Sequence, residues 1–386
     1  MTHFNQHIGE HHQSNSVSRR EFLRKSAILA GGAWLLGGPL FTSRTDTANA
    51  MVPAHQGVGA LNYALVLDGQ VVGILPSVES GFISGVIATQ QLSSGQPILK
   101  KHLATIQYED IIIKCGSGMN PSMYQWIQAT LTNEPLTRGG TILKLDQNFQ
   151  VVEEMVFQDA WITEVGFPAF DTSSPQPAYI TLKITPQHTF FQNGSGSQIS
   201  SPQIGHGQQW LTSNFRLNIQ GLENACAHVT RIEPLIWTRT LTGGGAGGFR
   251  NRSLPTPGAA ETPNLVITLP DSQAGPFREW FYNFVIQGQA SDSDEKPGML
   301  EFLAHNLQQV LFTVSFGNLG IFRMSPVPQS TTSTASLVKV EMYCETMNFS
   351  QASSGGGSAQ PRSAPAPQPR KSPAPTKRLI PLRKTR

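Results

Sequence analysis

"NYALVLDG" (Asn62–Gly69) has an echo further along the chain, "NFRLNIQG" (Asn214–Gly221). Both alternate apolar and polar residues, and both end at a glycine turn. Tyr63, Leu65 and Leu67 share one face of a strand; Phe215, Leu217 and Ile219 share the same face of the other. Working outward, the match continues. "IQYEDIIIK" (Ile106–Lys114) reads as a strand, and so does Leu265–Leu269. One helix follows each. Asn120 and Pro121 open the first as N-cap and first helical residue, with Met123, Trp126, Ile127 and Leu131 as its apolar stripe. Pro276 opens the second, with Phe277, Trp280, Phe281 and Phe284. Strands then follow in both halves: Thr141–Leu145, Val151–Gln158 and Trp161–Val165, against Leu300–Ala304, Val310–Phe316 and Ile321–Met324. Each half closes on an alternating strand, Tyr179–Thr185 and Leu337–Tyr343. One order of elements occurring twice indicates an internal repeat.

The expected fold is mainly β with one helix per domain, as two tandem β-barrel or sandwich-like domains. The expected domains are 51–191 and 214–350, joined by a Gly-, Ser-, Gln- and Pro-rich linker at 192–213. The chain has 36 glycines and 27 prolines, which suits many turns. Only 14% of its residues are charged, against about 25% in an average soluble domain.

Residues 1–50 stand apart. "SRREFLRKSAILAGGAWLLGG" (Ser18–Gly38) resembles a twin-arginine export signal, carried by Ser18, Arg19, Arg20, Phe22 and Leu23. Its apolar run is diluted by glycine and is shorter than the roughly 20 residues a membrane span needs. Ala48-Asn49-Ala50 has the small-x-small form of a cleavage site, with Ala48 and Ala50 as its small residues. The protein is therefore expected to be exported (periplasmic, cell-surface or extracellular), with no transmembrane span after processing. Residues 351–386 hold eight Lys/Arg and no acids, while 51–350 hold 15 Lys/Arg and 22 Asp/Glu. This Pro-rich tail cannot bury enough apolar surface to fold alone. It is either a solvated spacer or a contact for an anionic surface or polymer. It has no aromatic residue for stacking on bases, and no specific nucleic acid is expected as a partner.

The first half resembles the tail-tube protein family of contractile phages, which includes the tubes of type VI secretion systems and of extracellular contractile injection systems. The residues carrying the likeness are "NYALVLDGQVVGILPSVESG", "IQYEDIIIK", the helix "PSMYQWIQATL", "GGTILKLDQNFQVVEEMVFQDAWITEVGFPAFD" and "YITLKITPQ". The second half departs at "FGNLG" (Phe316–Gly320), which has glycine where Trp161 stands, and carries a longer insert at 242–262. The resemblance implies a structural role, with barrels joined in rings that stack into a tube. It implies no cofactor and no catalytic residue. Related proteins build six-domain rings from single-domain subunits, so three two-domain chains would supply six barrels; the alternative is six chains, with the two domains of each in successive layers. Two stretches are candidate inter-subunit hairpins: Ile87–Leu103, with Gln91, Lys100 and Lys101, and Ile236–Arg252, with Trp237, Arg239 and Arg250. The competing function is an exported binding module or enzyme that shares only the barrel.

Other motifs point nowhere specific. Gly243–Gly248 matches a dinucleotide-loop spacing, but two prolines follow and no helix starts. His102, His188, His206, His228 and His305 lack metal-ligand spacing. Asp292, Asp294 and Glu295 lack the full calcium-loop pattern and read as a solvated turn. Of the three cysteines, Cys226 and Cys344 either pair in an oxidising compartment or, with Cys115, are small buried residues. One prediction follows from the signal. Arg19→Lys with Arg20→Lys traps the precursor inside with its signal attached, read by fractionation and mass. Normal export of that double variant would assign the signal to another route.

Overall fold

The computed structural model describes residues 62–91, 99–199, 210–243, 255–328 and 336–352. Alternation builds the first half. β1 (Asn62–Leu67) turns at Asp68-Gly69, both in the left-handed region (φ 51° and 77°), into β2 (Gln70–Leu75). β3 (Val78–Ser80) leads to a long hairpin of β4 (Ile83–Gln91) and β5 (Leu99–Tyr108), and then to β6 (Ile111–Cys115). Helix α1 (Pro121–Leu131) starts where Asn120 accepts from the Ser122 N–H at 3.1 Å, and it buries all four residues of the expected stripe. β7 (Arg138–Leu145) precedes β8 (Val151–Phe167), after which come β9 (Phe170–Asp171), β10 (Ile180–Thr185) and β11 (His188–Asn193).

The second half runs through β12 (Phe215–Ile219), a short helix α2 (Glu223–Cys226), β13 (Arg231–Ile232) and a hairpin of β14 (Leu235–Thr242) and β15 (Thr256–Glu261). β16 (Leu265–Pro270) and α3 (Gly275–Phe281) follow. α3 continues as a π-helical turn, Tyr282–Ile286, and three long strands end the half: β17 (Lys296–Leu303), β18 (Val310–Pro326) and β19 (Leu337–Gln351).

The two main sheets repeat one strand order. The first contains β1-β7-β8-β10-β6-β3 and the second β12-β17-β18-β19-β16-β13. Registers agree in detail. Leu67 lies opposite Gly140 and Gly140 opposite Phe157; Ile219 lies opposite Gly298 and Gly298 opposite Phe316. Asp159 and Asn318 both adopt positive φ (48° and 55°), a conformation their short polar side chains tolerate. This lets each strand bend within its ladder. The two expected strands 151–158 and 161–165 are therefore one strand, and the same holds in the second half.

Neither sheet closes into the expected barrel among the described residues; each is an open path. Each half also takes a strand from the other. β9 of the first half pairs with β13 of the second, and β14 of the second pairs with β8 of the first. The expected linker is also more structured than its composition suggests. β11 pairs along β8, Ile199 is buried with Ala64, Leu143 and Leu145, and Trp210 lies in the main core. That core is continuous across both halves. Its centre is an aromatic group in which Phe302 stacks on Phe170 (5.0 Å) and Trp210 (4.8 Å), and Tyr124 of α1 meets Phe312 (4.9 Å). No helix of the described residues is long and apolar enough to cross a membrane.

The departure at "FGNLG" has a physical account. In the first half Trp161 lies opposite Thr185; in the second Gly320 lies opposite Tyr343. The bulky residue stands on the other strand of the pair. A Cβ at Gly320 would fall on the Tyr343 ring, whose hydroxyl donates to Glu295. Gly320→Trp is therefore expected to cost about 2 kcal/mol by overpacking, read from the urea midpoint. Adding Tyr343→Thr should recover much of that loss. A double variant no more stable than Gly320→Trp alone would refute the exchange.

Candidate assembly interface

A strand edge presents unpaired N–H and C=O groups. At its C-terminal end β8 has β10 on one side, with Thr181 opposite Gly166 and Lys183 opposite Glu164. On the other side β14 arrives antiparallel, pairing Leu235 with Phe167, Ile236 with Gly166, Trp237 with Val165 and Thr238 with Glu164. Period-two alternation decides which side chains go inside. Leu235, Trp237 (2% exposed) and Arg239 (5% exposed) are buried, whereas Ile236 faces out.

Arg239 locks the junction. Its Nη2 donates to the Thr130 carbonyl at 3.0 Å and to Asn133 Oδ1 at 2.7 Å, and its guanidinium lies 5.1 Å from the centre of the Trp237 ring. Thr130 belongs to the last turn of α1, where carbonyls lack helical partners and the helix dipole favours a cation. Burial lowers the Arg239 pKa below the ordinary guanidinium value, and the donated bonds hold the charged form in place. The second half is thus joined to the first by hairpin addition to a sheet edge, fixed by one buried cation.

The β4–β5 hairpin is the counterpart of β14–β15. Ser84 lies opposite Gln107 and Gly85 opposite Ile106, just as Thr238 lies opposite Glu261 and Arg239 opposite Ala260. No other strand pairs with β4 or β5 among the described residues. Its apolar side chains face outward: Phe82 is 61% exposed, Ile87 64% and Leu103 62%, with Ile83 and Val86 also exposed. Phe82 stacks on the exposed Phe191 at 6.3 Å. Contiguous exposed apolar surface of this kind marks an interaction site.

Sequence reasoning located this hairpin but named other residues on it. Lys100 and Lys101 are exposed on β5, and Gln91 ends β4 opposite Leu99. Trp237 and Arg239 come together, but inside the chain, where they hold the two halves to each other. Phe82, Ile83 and Val86 went unnamed. The available signal was the run Phe82-Ile83 followed by Val86-Ile87, which places apolar residues on both faces of one strand. The export-signal residues Ser18, Arg19, Arg20, Phe22 and Leu23, the cleavage residues Ala48 and Ala50, Arg250, and the tail from 353 lie outside the described residues.

Of the two readings of the cysteines, the structure has the small buried one: Cys115, Cys226 and Cys344 are buried free thiols. Burial pushes each thiol pKa up to about 12, since an apolar surrounding disfavours the thiolate. Cys344 Sγ donates to the Thr346 carbonyl at 2.9 Å. Asp294 accepts from the backbone N–H and hydroxyl of Ser291, so the acidic turn caps itself. No group of three metal-ligating side chains occurs among the described residues.

No family model and no curated protein matches the chain. Among solved structures, a chain of the anti-feeding prophage baseplate matches at 15% identity and a TM-score of 0.29, covering 40% of this chain and 98% of that one. Hcp1 from Flavobacterium johnsoniae matches at 18% identity and a TM-score of 0.24, over 36% of this chain and 99% of that one. A chain of the sheath–tube complex of the extracellular contractile injection system PVC matches at 13% identity and a TM-score of 0.27, over 40% and 100%.

Arg239→Ala is expected to destabilise the chain by about 2 kcal/mol, because it removes two bonds to a charged donor and leaves the α1 end unpartnered. The urea midpoint measures this. A change within error would mean that the clasp contributes nothing to holding the halves together.

Proposed function

We propose that this chain is a structural, self-associating, tube-like subunit, exported already folded, whose halves are tandem copies of one unit. Three chains close a ring of six such units. The observation that carries the reading is the join between the halves. A hairpin of one unit is added to the sheet edge of the other, while the matching hairpin of the first unit has no further strand partner among the described residues and exposes apolar side chains. A chain that satisfies one edge internally and leaves the equivalent hairpin outward suits head-to-tail association.

The repeated strand order and the quoted tail-tube motifs support the tandem reading; the Arg19-Arg20 motif supports export by the twin-arginine route. The basic tail, in this reading, remains free to touch an anionic surface outside the ring. Native mass spectrometry of the purified protein, with negative-stain microscopy, tests the proposal. Rings of three chains are expected. Six chains in one ring would overturn the stoichiometry, and a lone monomer at high concentration would overturn self-association.

A further inference from the structure

We infer that the β4–β5 hairpin of one copy adds to the C-terminal edge of β18, Arg323–Pro326, of a second copy. This rests on the self-association reading above and names its surface. The argument begins with strand equivalence. β8 and β10 share a bulge that skips Thr163, with Lys183 opposite Glu164 and Ile184 opposite Ile162. β18 and β19 share the corresponding bulge, skipping Phe322, with Glu341 opposite Arg323 and Met342 opposite Ile321. Glu164, Val165, Gly166 and Phe167, the residues that receive β14, therefore correspond to Arg323, Met324, Ser325 and Pro326.

On one side of these four residues lies β19; on the other, no strand pairs among the described residues. A sheet edge of this kind is a template for an incoming strand. The incoming side is fixed by the same method. Val78 faces Ile113 as Ile232 faces Ile267, so Phe82, Ile83 and Ser84 stand where Ile236, Trp237 and Thr238 stand. The intermolecular register follows: Phe82 opposite Ser325, Ile83 opposite Met324, and Ser84 opposite Arg323 of the second copy.

The chemistry of this junction differs from the internal one. Gly85 replaces the anchoring Arg239, so no cation is available to lock the helix end. The receiving surface is apolar instead. Phe322 is 40% exposed where its counterpart Thr163 is buried, and Tyr282, Val285 and Ile286 (60%) are exposed on the π turn that follows α3. This turn corresponds to the end of α1 that Arg239 clasps. The exposed apolar residues of the hairpin thus meet an apolar receiver, and the occupant is a second copy of this chain. An apolar junction without a buried ion is separable without leaving a charge unpaired.

Disulfide trapping in the full chain tests this. Ser84→Cys with Arg323→Cys puts two thiols directly opposite each other across the junction, within bridging distance for neighbouring strands. The native thiols are buried and protonated, so background is low. The expected result under mild oxidation is loss of monomer on non-reducing gels into a closed covalent species of three chains. Ser84→Cys with Ser325→Cys, a diagonal pair about 7–8 Å apart, should cross-link poorly. Rings that form by native mass without a Ser84–Arg323 bridge would overturn this junction while leaving self-association intact. Monomer in every variant and in the parent chain would overturn both. A second variant guards against misfolding: Phe322→Asp should release monomers of unchanged circular dichroism. Intact rings in that variant would also overturn the junction.

Discussion

The structure depends on the need of a strand edge for hydrogen-bond partners. β8 meets that need with different strands along its length. On one side β10 and β11 follow each other from Gly166 to Glu153; on the other, β7 covers the N-terminal part and β14, from the other half, covers Glu164–Phe167. The positive φ at Asp159 bends the strand between these two zones. In the second half β19 runs along β18 as β10 and β11 run along β8, and β17 stops at Leu319, so among the described residues no strand covers the far edge beyond the Asn318 bend. The internal junction and the free edge are consequences of one strand plan used twice, once with its partner present in the chain.

Packing reinforces this asymmetry. The halves do not sit as separate bodies; Phe167, Phe170, Trp210, Phe302, Phe312 and Phe349 interlock in one core, and α1 of the first half brings Tyr124 against it. Aromatic pairs at 5–6 Å contribute beyond their buried area. At equivalent ladder positions the two halves carry Trp161 opposite Thr185 and Gly320 opposite Tyr343. Volume lost on one strand is restored on its neighbour, and the backbone register stays fixed. What changed at the surface is the anchor. Arg239 binds the end of α1 from within, while the corresponding helix end of the second half exposes tyrosine, valine and isoleucine.

Much of this was legible in the residues. The period-two alternation at Asn62–Leu67 and Phe215–Ile219, the Asn120-Pro121 start of α1 and the stripe of Met123, Trp126, Ile127 and Leu131 are local signals, and the observed elements follow them. The single 17-residue strands were not legible, because a bend at Asp159 or Asn318 looks like a turn in sequence. The exchange of edge strands was not legible either. Nothing near Leu235 announces that its partner is Phe167, since pairing between distant strands depends on the assembled core. The same limit applied to Trp237 and Arg239. An alternating aromatic and cation on a hairpin read as surface reaching outward, whereas burial against α1 turned them into the internal clasp. The core role of Trp210 was hidden by the glycine- and serine-rich composition around it.

Amide hydrogen exchange, compared between assembled and dissociated protein, tests the account most directly. Backbone amides of β14 and of Glu164–Phe167 should be protected in both states, because their pairing is internal. Those amides of Phe82–Ser84 and Arg323–Ser325 that point away from β5 and β19 should exchange readily in the dissociated chain and become protected together on assembly. Protection on assembly at other strands, with these two segments unchanged, would contradict the claim that copies join by the edge addition that joins the halves.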